Sequence, residues 1–328
     1  MIPNQWYIVM DSKSLKKGKP VAIKRFGEKL VLWRTSDGAL ACLHDQCLHR
    51  GAALSAGKIV SDQVQCPFHG LEFAPDGHCT SIPSYGTSGI IPTAFKARSY
   101  PAADAYGWVW LYWGTRSETL PDIRYLDAIG EEFAYNTFSD HWPAHYSRVI
   151  ENQLDPIHLP FVHHNTIGRG EKYIVDGPLV KFAPSDPNLM NIWVQNRPDD
   201  GTPPLKPSHM PKPDRTPSLQ FRFPNVWQNW IAPDMRIVIA FVPVDDCSTI
   251  LYMRYYQNIT HFPGLKHILH FFGKVGSYVI ERQDRRVVLT QRPLRTHRRM
   301  GEILLRGDAP IIAYRRRREA LIQAARTN

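Results

Sequence analysis

The chain has 328 residues, of which 43% are hydrophobic, and a formal net charge of +10 at pH 7. This length and composition allow two domains with sizeable cores and exclude a disordered chain. Met1–Gln5 forms neither a charged leader nor an apolar run, and no stretch approaches the length of a membrane span, so we expect a cytoplasmic protein without a membrane segment.

The first third of the chain has the pattern of an all-β domain. Short alternating apolar runs extend from Trp6 to about Tyr112, and turn signals separate them. Asp37-Gly38 and Asp76-Gly77 are typical of hairpin turns, because glycine readily adopts the positive φ angles that these turns need. We therefore predict a small all-β domain over residues 1–115.

Two cysteine–histidine pairs are the most informative motif of this domain. Sixteen residues separate Cys47-Leu48-His49 from Cys66-Pro67-Phe68-His69. Two thiolates and two imidazoles also suit tetrahedral zinc, but zinc fingers pair Cys with Cys and His with His. Here each loop supplies one Cys and one His, and so gives one ligand to each of two irons. The pattern predicts a Rieske [2Fe-2S] cluster that transfers single electrons. Its predicted ligands are Cys47, His49, Cys66 and His69.

The other cysteines are assigned to the protein core. Cys42-Leu43-His44 repeats the first half of the motif, but its distance to Cys66 is longer than is typical of the pattern, and Ala39–Leu43 is typical of a buried strand. Cys79 and Cys247 have no partner at metal-binding spacing, and free cysteines are commonly buried as small apolar residues. Five cysteines in a chain of this length do not suggest a disulfide scaffold.

Longer strands and helical stretches follow a predicted linker at Arg116–Pro121, and they indicate a second domain over residues 116–328. Strands are predicted at Arg236–Phe241 and Ile250–Tyr256, and a long helix at Leu265–Thr290. The chain contains no Gly-rich dinucleotide fingerprint and no P-loop, so electrons must come from another protein.

Two further segments of the second domain are interpreted from composition. Residues 198–217 are rich in Pro and Asp and are typical of a loop or lid. Arg315–Arg318 lies in a predicted C-terminal helix, where a solvated helix face is the favoured explanation and a docking surface for an electron donor is the alternative. The net basic charge predicts an acidic partner, and we favour an acidic electron-transfer protein over nucleic acid.

A second candidate metal site lies between residues 155 and 163. Asp155, His158 and His163 have the spacing Asp-x2-His-x4-His, and two histidines with one carboxylate suit non-haem Fe(II) with open coordination positions. Asp155 followed by proline also resembles a helix N-cap, and His158 could be a satisfied core histidine. The two histidines would lie about 140° apart on an ideal helix, but Pro160 would break or bend it. His163 is favoured over the adjacent His164 as the second ligand.

The third ligand is predicted to be Asp284, far along the chain. It shares a helix face with Ile280, Val287 and Val288, where an unpaired carboxylate would be costly. A cation must therefore lie nearby. Arginine is the alternative to iron, and Glu281 on the same face is a weaker ligand candidate.

With both constellations in this order, the sequence resembles the catalytic α subunit of a Rieske non-haem iron oxygenase, in the monooxygenase and demethylase branch. The resemblance covers nearly the whole chain and implies an α+β fold. In such a fold an N-terminal all-β Rieske domain precedes a catalytic domain whose antiparallel sheet grips a long helix (helix-grip, START-like). It matches the family motifs at Cys47, His49, Cys66 and His69, then at Asn152, Asp155, His158 and His163, with Asp284 as the distal carboxylate.

The resemblance also implies the reaction, the cofactors and the partners. Electrons from a separate reductase or ferredoxin would pass through the [2Fe-2S] cluster to a mononuclear Fe(II), which activates O2 to hydroxylate or demethylate a small molecule. The branch is often homotrimeric. Asp155 would link His158 to His69 of the partner subunit and so conduct electrons between them. The alternatives are ring cis-dihydroxylation and, in another class, an electron carrier with a non-catalytic second domain.

Aromatic residues of the second domain bear on the substrate. Eight of them lie on or near likely strand positions, where ordinary core packing is the favoured role and lining of a cavity is the alternative. They are Phe221, Phe223, Trp227, Trp230, Phe241, Tyr252, Tyr255 and Tyr256. A lined cavity would indicate an apolar, ring-containing substrate. Asn229 and Asn258 are candidates for orienting it.

Overall fold

The computed structural model describes residues 1–115, 119–127, 129–210, 216–260 and 262–327. The chain forms two compact units that meet in sequence between Arg124 and Tyr125, with Ile2 belonging to the second unit. The domain boundary after residue 115 stays a prediction, and part of the predicted linker at Arg116–Pro121 lies outside the described residues. Among the residues described, no helix has the length and apolar character needed to cross a membrane.

The described part of the first unit has ten strands in three small antiparallel sheets. They are β1 (Gln5–Asp11), β2 (Val21–Arg25), β3 (Glu28–Arg34), β4 (Leu40–His44), β5 (Lys58–Val60), β6 (Gln63–Gln65), β7 (Glu72–Phe73), β8 (Cys79–Ser81), β9 (Ala102–Ala105) and β10 (Trp108–Trp113). The sheet orders are β1-β10-β9, β2-β3-β4 and β5-β6-β7-β8. The predicted all-β class of this domain is confirmed.

Both predicted hairpin turns join neighbouring strands. Asp37-Gly38 lies between β3 and β4, and Asp76-Gly77 lies between β7 and β8. Gly38 and Gly77 have φ angles of 92° and 93°. A Cβ atom on Gly77 would also lie only 2.0 Å from the carbonyl oxygen of Ala97, so this turn requires glycine both for its conformation and for space.

The core of the first unit extends to the predicted cluster ligands. Trp33 on β3 and Val64 on β6 are fully buried, and Cys47 and Cys66 pack in the same hydrophobic cluster. Cys42 is also fully buried on β4, where the sequence predicts a core residue. The two ligand cysteines are thus held by the same packing that closes the domain.

The described part of the second unit has seven strands and four helices. They are β11 (Ala134–Trp142), α1 (Tyr146–Leu154), α2 (Leu159–Val162), β12 (Ile174–Ala183), β13 (Asp186–Arg197), β14 (Leu219–Arg222), β15 (Val226–Ala232), β16 (Met235–Pro243), β17 (Thr249–Gln257), α3 (Pro263–Val288) and α4 (Ala309–Thr327). One antiparallel sheet contains all seven strands, in the order β11-β17-β16-β15-β14-β13-β12. This sheet and the long helix α3 confirm the predicted α+β class.

The long helix and its neighbouring strands follow from local sequence. α3 begins at Pro263, since a proline in the first helical turn costs no backbone hydrogen bond. The runs predicted as strands lie within β16 and β17, which pair continuously from Met235↔Gln257 to Pro243↔Thr249. The segment predicted as a loop over residues 198–217 follows the end of β13 and contains one short 3-10 turn, while residues 211–215 lie outside the described part.

The predicted solvated arginine face on the C-terminal helix is wrong for two of its four arginines. Arg315 and Arg318 are each 5% exposed, whereas Arg316 is exposed. The Nε and Nη2 atoms of Arg315 donate to the two carboxylate oxygens of Glu151 on α1, at 2.8 and 2.6 Å. The run of four therefore includes a buried ion pair that joins α4 to α1, which a count of consecutive charges cannot reveal.

Candidate metal centres and cavity

The two cysteine–histidine loops of the first unit have the same backbone hydrogen bonds. The Cys47 N–H donates to the Ala52 carbonyl at 2.7 Å, and the Gly51 N–H donates to the Cys47 carbonyl at 2.9 Å. In the second loop the Cys66 N–H donates to Leu71 at 2.7 Å, and the Gly70 N–H donates to Cys66 at 3.1 Å. Each loop is therefore a tight turn with the same backbone hydrogen bonds around its cysteine, although the histidine follows two residues after Cys47 and three residues after Cys66.

Glycine is needed at the same place in both loops. Gly51 and Gly70 each have a φ angle of 74°, a conformation that residues with a Cβ atom rarely adopt. A Cβ atom on Gly70 would also approach the Pro83 side chain to 3.1 Å. The glycine four residues after each predicted cysteine ligand thus permits the turn.

The four predicted cluster ligands lie together. Cys47 and Cys66 are each 2% exposed, and the exposed rings of His49 and His69 have their centroids 4.6 Å apart. Burial, followed by the neighbouring Cys66 thiol, raises the pKa of Cys47 to about 11 although backbone N–H groups of the loop oppose this. Burial thus disfavours the Cys47 thiolate in the protein alone. The iron of a [2Fe-2S] cluster would stabilise thiolate ligands, so these two adjacent buried cysteines fit such a cluster.

The second constellation lies in the connection between α1 and α2. Asp155 follows the last residue of α1, so it is not the N-cap of a helix beginning at Pro156. Its Oδ1 atom accepts the N–H of Ile157 at 2.6 Å, which forms a turn rather than a cap. α2 begins only after His158, with Pro160 in its first turn. The proline therefore starts a short helix instead of breaking a long one.

The two histidines flank this short helix. His158 precedes its first residue, and His163 follows its last residue with φ −109° and ψ 24°, outside the helical region. The two rings lie with their centroids 5.2 Å apart. His164 is exposed, and its Nδ1 atom lies 3.1 Å from the Phe161 carbonyl. The structure thus brings His163, and not His164, next to His158.

Asp284 on α3 completes a group of three converging side chains. Its Oδ1 atom lies 3.3 Å from Nε2 of His158 and 3.0 Å from Nε2 of His163, and the residue is 2% exposed. One ligand atom from each residue lies within 4.8 Å of the others, and within the described residues no other group of this kind is found. Glu281, the weaker ligand candidate, is not part of the group.

The electrostatics of this group fit a bound cation. Burial raises the pKa of Asp284, but the two adjacent histidines more than offset this and hold it well below its usual range. Burial lowers the pKa of His158, yet Asp155 and Asp284 raise it to about 9. Oδ1 of Asp284 has no hydrogen bond of good geometry although both Nε2 atoms approach it. A divalent ion among these three atoms would satisfy the buried carboxylate and both imidazoles.

Two glutamines that the sequence analysis did not single out support the group. Nδ1 of His163 lies 2.8 Å from Oε1 of Gln283, which leaves Nε2 facing Asp284. Gln153 on α1 donates from Nε2 to Oδ2 of Asp284 at 3.1 Å. Such outer contacts fix the ring orientation and the tautomer of a metal ligand. Neither glutamine has a sequence signal of its own, apart from its closeness to a predicted ligand.

The three residues lie at the wall of a cavity of about 410 Å³ within the second unit. Its first wall is one face of the sheet, since Trp227, Asn229 and Ile231 alternate along β15 and the register pairs Trp227 with Ile239 and Asn229 with Ile237. Most of the lining is apolar. This volume and this composition suit a small apolar molecule.

Helices form the opposite wall of the cavity. Ser277, Ile280, Glu281 and Asp284 lie on one stripe of α3, at intervals of three and four residues. The connection between α1 and α2 adds the two histidines. One predicted metal ligand, Asp284, thus shares a helical stripe with the cavity lining.

The eight aromatics of the second domain, for which core packing is favoured over cavity lining, do not all have the same environment. Of the eight aromatics considered, Trp227 lines the cavity, whereas Phe223 stacks on Tyr314 of α4 and Phe221 meets the same ring edge to face. Of the two asparagines, Asn229 lines the cavity and Asn258 does not. Core packing, the favoured explanation, thus applies to the four that are buried and do not line the cavity, namely Phe221, Phe223, Phe241 and Tyr256, whereas Trp230, Tyr252 and Tyr255 are half-buried.

Comparisons with known proteins agree with this arrangement. Residues 5–101 match the family described as Rieske [2Fe-2S] domain. Residues 142–324, more than half of the chain, match the family described as vanillate O-demethylase oxygenase C-terminal domain. Together the two matches cover both units.

Individual proteins show the same relationship. The chain is 38% identical over 170 residues to a chloroplastic chlorophyllide a oxygenase of Chlamydomonas reinhardtii, a match that covers 51% of this chain and 25% of that protein. It is 32% identical over 170 residues to the putative toluene-4-sulfonate monooxygenase system iron-sulfur subunit TsaM2 of Comamonas testosteroni, covering 51% and 48%. The chain thus spans less than half the length of these curated relatives.

A solved structure has the same fold over nearly the whole chain. Pseudomonas putida CBB5 NdmA superimposes with a TM-score of 0.77 at 21% identity, covering 99% of this chain and 92% of that one. The predicted family, enzyme class and cofactors are confirmed at this level. The chain belongs to the Rieske non-haem iron oxygenases, the oxidoreductases that combine a [2Fe-2S] cluster with a mononuclear iron, and to their monooxygenase and demethylase branch.

Proposed function

We propose that the chain is an oxygenase component that receives electrons from a separate reductase or ferredoxin and uses O2 to hydroxylate or demethylate an apolar, ring-containing small molecule. The supporting observation is that His158, His163 and Asp284 converge at the wall of a largely apolar cavity. Iron held by these residues would activate O2 with electrons supplied by the cluster.

The residues of the chain bind and orient the substrate in this proposal. The apolar sheet face buries a ring, and its burial excludes water from the space beside Asp284. Asn229 offers an amide at one point of this face, which can orient a polar substituent. The glutamines behind His163 and Asp284 hold these side chains in place while substrates enter and leave.

Asp155 is proposed to carry electrons between subunits of a homotrimer. Its Oδ2 atom lies 3.7 Å from Nδ1 of His158, on the side of the ring away from Asp284. A second partner of the same carboxylate would be His69 of the partner subunit. In Asp155→Asn the amide oxygen can still accept the Ile157 N–H, so we expect both metal centres to remain, while substrate oxidation falls about 10- to 100-fold. Single-turnover measurements with a chemically reduced cluster test this, and normal turnover would contradict the proposed role.

The first experiment is to measure iron and acid-labile sulfide on anaerobically purified protein, with an EPR spectrum after dithionite reduction. Iron in excess of sulfide, together with a Rieske signal, is the expected result. O2 uptake and formaldehyde release across a panel of ring compounds then distinguish demethylation from hydroxylation. Equal iron and sulfide that persist after Fe(II) reconstitution would instead indicate an electron carrier.

A further inference from the structure

Two isoleucines line the cavity and are also exposed to solvent. Ile167, in the connection between α2 and β12, is 54% exposed, and Ile231, near the end of β15, is 47% exposed. The other described residues that line the cavity are buried or half-buried. A side chain that borders both the cavity and the solvent marks a place where the two meet. The helical wall and the sheet wall thus each contribute one isoleucine to the edge of the cavity.

The backbone around Ile167 is tied to a predicted metal ligand. The N–H groups of Thr166 and Gly168 donate to the His163 carbonyl at 2.8 and 2.9 Å. The Thr166 hydroxyl also donates to Oε1 of Gln283 at 2.9 Å, and the same oxygen lies beside Nδ1 of His163. Both neighbours of Ile167 in sequence are therefore anchored, which holds Ile167 in a fixed position near the candidate iron site.

An irregularity in the sheet positions Ile231. The register of β15 and β16 shifts between Trp230 and Ala232, so Ile231 lies where the regular ladder is interrupted. Such irregularities redirect side chains and are common beside active sites. The Arg236 guanidinium lies 3.5 Å from the centroid of the Trp230 ring and donates to the Met235 carbonyl at 3.0 Å. These contacts fix the end of the hairpin that carries Ile231.

We propose that Ile167 and Ile231 form the entrance of the cavity and determine specificity, because they limit which ring compounds reach the candidate iron site and how fast. This deepens the proposed function and rests on it, since it names the residues that select the substrate as it enters. Apolar side chains on both sides allow a ring to leave water gradually on its way in. Narrowing such a passage slows entry and exit alike, because the contacts of the bound molecule stay the same.

An isoleucine at the surface needs no function in itself, since every folded protein exposes some apolar side chains. Ile303, for example, is 93% exposed and does not line the cavity. Ile167 and Ile231 differ because both border the cavity and both lie in backbone held by contacts to buried residues, His163 and Arg236. Ile303 is therefore a matched control for the two entrance residues.

The test follows binding of N-phenyl-1-naphthylamine, an uncharged probe whose fluorescence increases in apolar surroundings, by stopped flow on anaerobic holoprotein without an electron donor. Ile167→Trp and Ile231→Trp should each lower the association and dissociation rate constants together by about tenfold, so that the dissociation constant changes by less than about twofold. Ile167→Ala and Ile231→Ala should raise both rate constants by about threefold. Ile303→Trp should change neither. Ile239→Ala, in the buried sheet wall, should instead raise the dissociation rate constant alone, by about tenfold.

An unchanged association rate in either tryptophan variant would overturn the proposal, since the probe would then have another way in. A changed dissociation constant with an unchanged association rate would assign the two isoleucines to the binding wall instead. Probe binding that is absent from the wild type, or insensitive to Ile239→Ala, would also contradict the proposal, because an open apolar cavity should take up this probe.

Iron and sulfide content verifies that each variant is folded, and Ile239→Val replaces Ile239→Ala if that variant does not fold. No turnover is needed for these measurements. Failure of the oxygenase proposal would therefore leave the result on the entrance intact, and the reverse also holds.

Discussion

His163 and His164 are neighbours in sequence but have opposite environments. His163 is 1% exposed and contacts Asp284 and Gln283, whereas His164 is exposed and contacts only the Phe161 carbonyl among the partners described. The difference arises because α2 ends at Val162, so consecutive residues no longer follow a helical path. The end of a four-residue helix therefore decides which histidine can reach Asp284.

A matched pair of substitutions tests this choice. We expect His163→Ala to lose about one iron per chain, because two protein ligands are too few to hold the mononuclear ion. Acid-labile sulfide and the Rieske EPR signal should stay unchanged. His164→Ala, the control, should keep the full iron content. Loss of iron from the His164 variant alone would exchange the two assignments.

Among the candidate ligands, Asp284 is predictable from sequence for a physical reason. A carboxylate among Ile280, Val287 and Val288 on one helix face needs a compensating charge, and the structure places two histidines beside it. Gln153 and Gln283 are not predictable, because a neutral amide is equally common at exposed positions and its role depends on which atoms it meets.

At the scale of whole elements, α4 is fixed by a buried ion pair. Arg315 donates two hydrogen bonds to Glu151 on α1 and also lies 2.8 Å from Glu302. Paired guanidinium and carboxylate groups are tolerated in the interior only because each satisfies the other. The sequence predicts a C-terminal helix around these arginines, but the partner of a buried arginine is a tertiary contact that a single sequence does not encode locally.

We expect Arg315→Gln to lower the free energy of unfolding by roughly 3 kcal/mol, because the buried Glu151 carboxylate then keeps only Arg148, whose Nη1 atom lies 3.9 Å away. Arg316→Gln, one residue later on the exposed side of the helix, should change it by less than about 0.5 kcal/mol. Urea unfolding followed by tryptophan fluorescence measures both. Equal effects from the two variants would mean that the ion pair does not stabilise α4.

The start of α1 should make stability depend on pH. His145 caps this helix, with Nδ1 accepting the Ser147 N–H at 3.2 Å. Burial, then the charges of Arg318 and Arg295, lower its pKa from 6.5 to about 3. The folded state thus disfavours the proton that the unfolded chain binds below about pH 6.5. The resulting stability is complete above that pH and is lost as the pH falls toward 3.

Substitution isolates this contribution. His145→Asn keeps a capping acceptor but does not titrate, so its free energy of unfolding should fall less steeply than that of the wild type between about pH 6.5 and 4. The difference should grow by up to roughly 1.4 kcal/mol per pH unit. Urea titrations at several pH values provide the measurement. Parallel profiles for the two proteins would show that His145 is not buried in its neutral form.

At the scale of the whole molecule, the two constellations fall in separate compact units, and each is built by local rules. The cluster loops are predictable from sequence because their cysteines, histidines and glycines lie close together in each loop. The second site is only partly predictable, because Asp284 comes from a helix more than a hundred residues after His163. The cavity is least predictable, since its walls depend on strand register and on which face of each strand turns inward.

The molecule has a net positive charge, with a formal value of +10 at pH 7. Buried arginines and buried acidic residues are equal in number among the described residues, so burial does not remove the basic excess from the surface. We expect reduction of the cluster by an acidic ferredoxin to slow as salt rises from about 10 mM to about 1 M, since the Debye length falls from about 30 to about 3 Å. Stopped-flow absorbance measures the rate. A rate independent of salt would contradict steering by the surface charge.

The cavity wall formed by β15, β16 and β17 and the candidate metal ligands belong to different elements of the second unit. Alternate residues such as Trp227, Ile239 and Met253 face the cavity from strands whose backbone hydrogen bonds do not depend on side-chain identity. Substituting these residues would reshape the cavity, whereas the candidate metal ligands His158, His163 and Asp284 lie on other elements. After gene duplication, substitutions on these three strands could therefore change which substrates are bound without changing the candidate iron site.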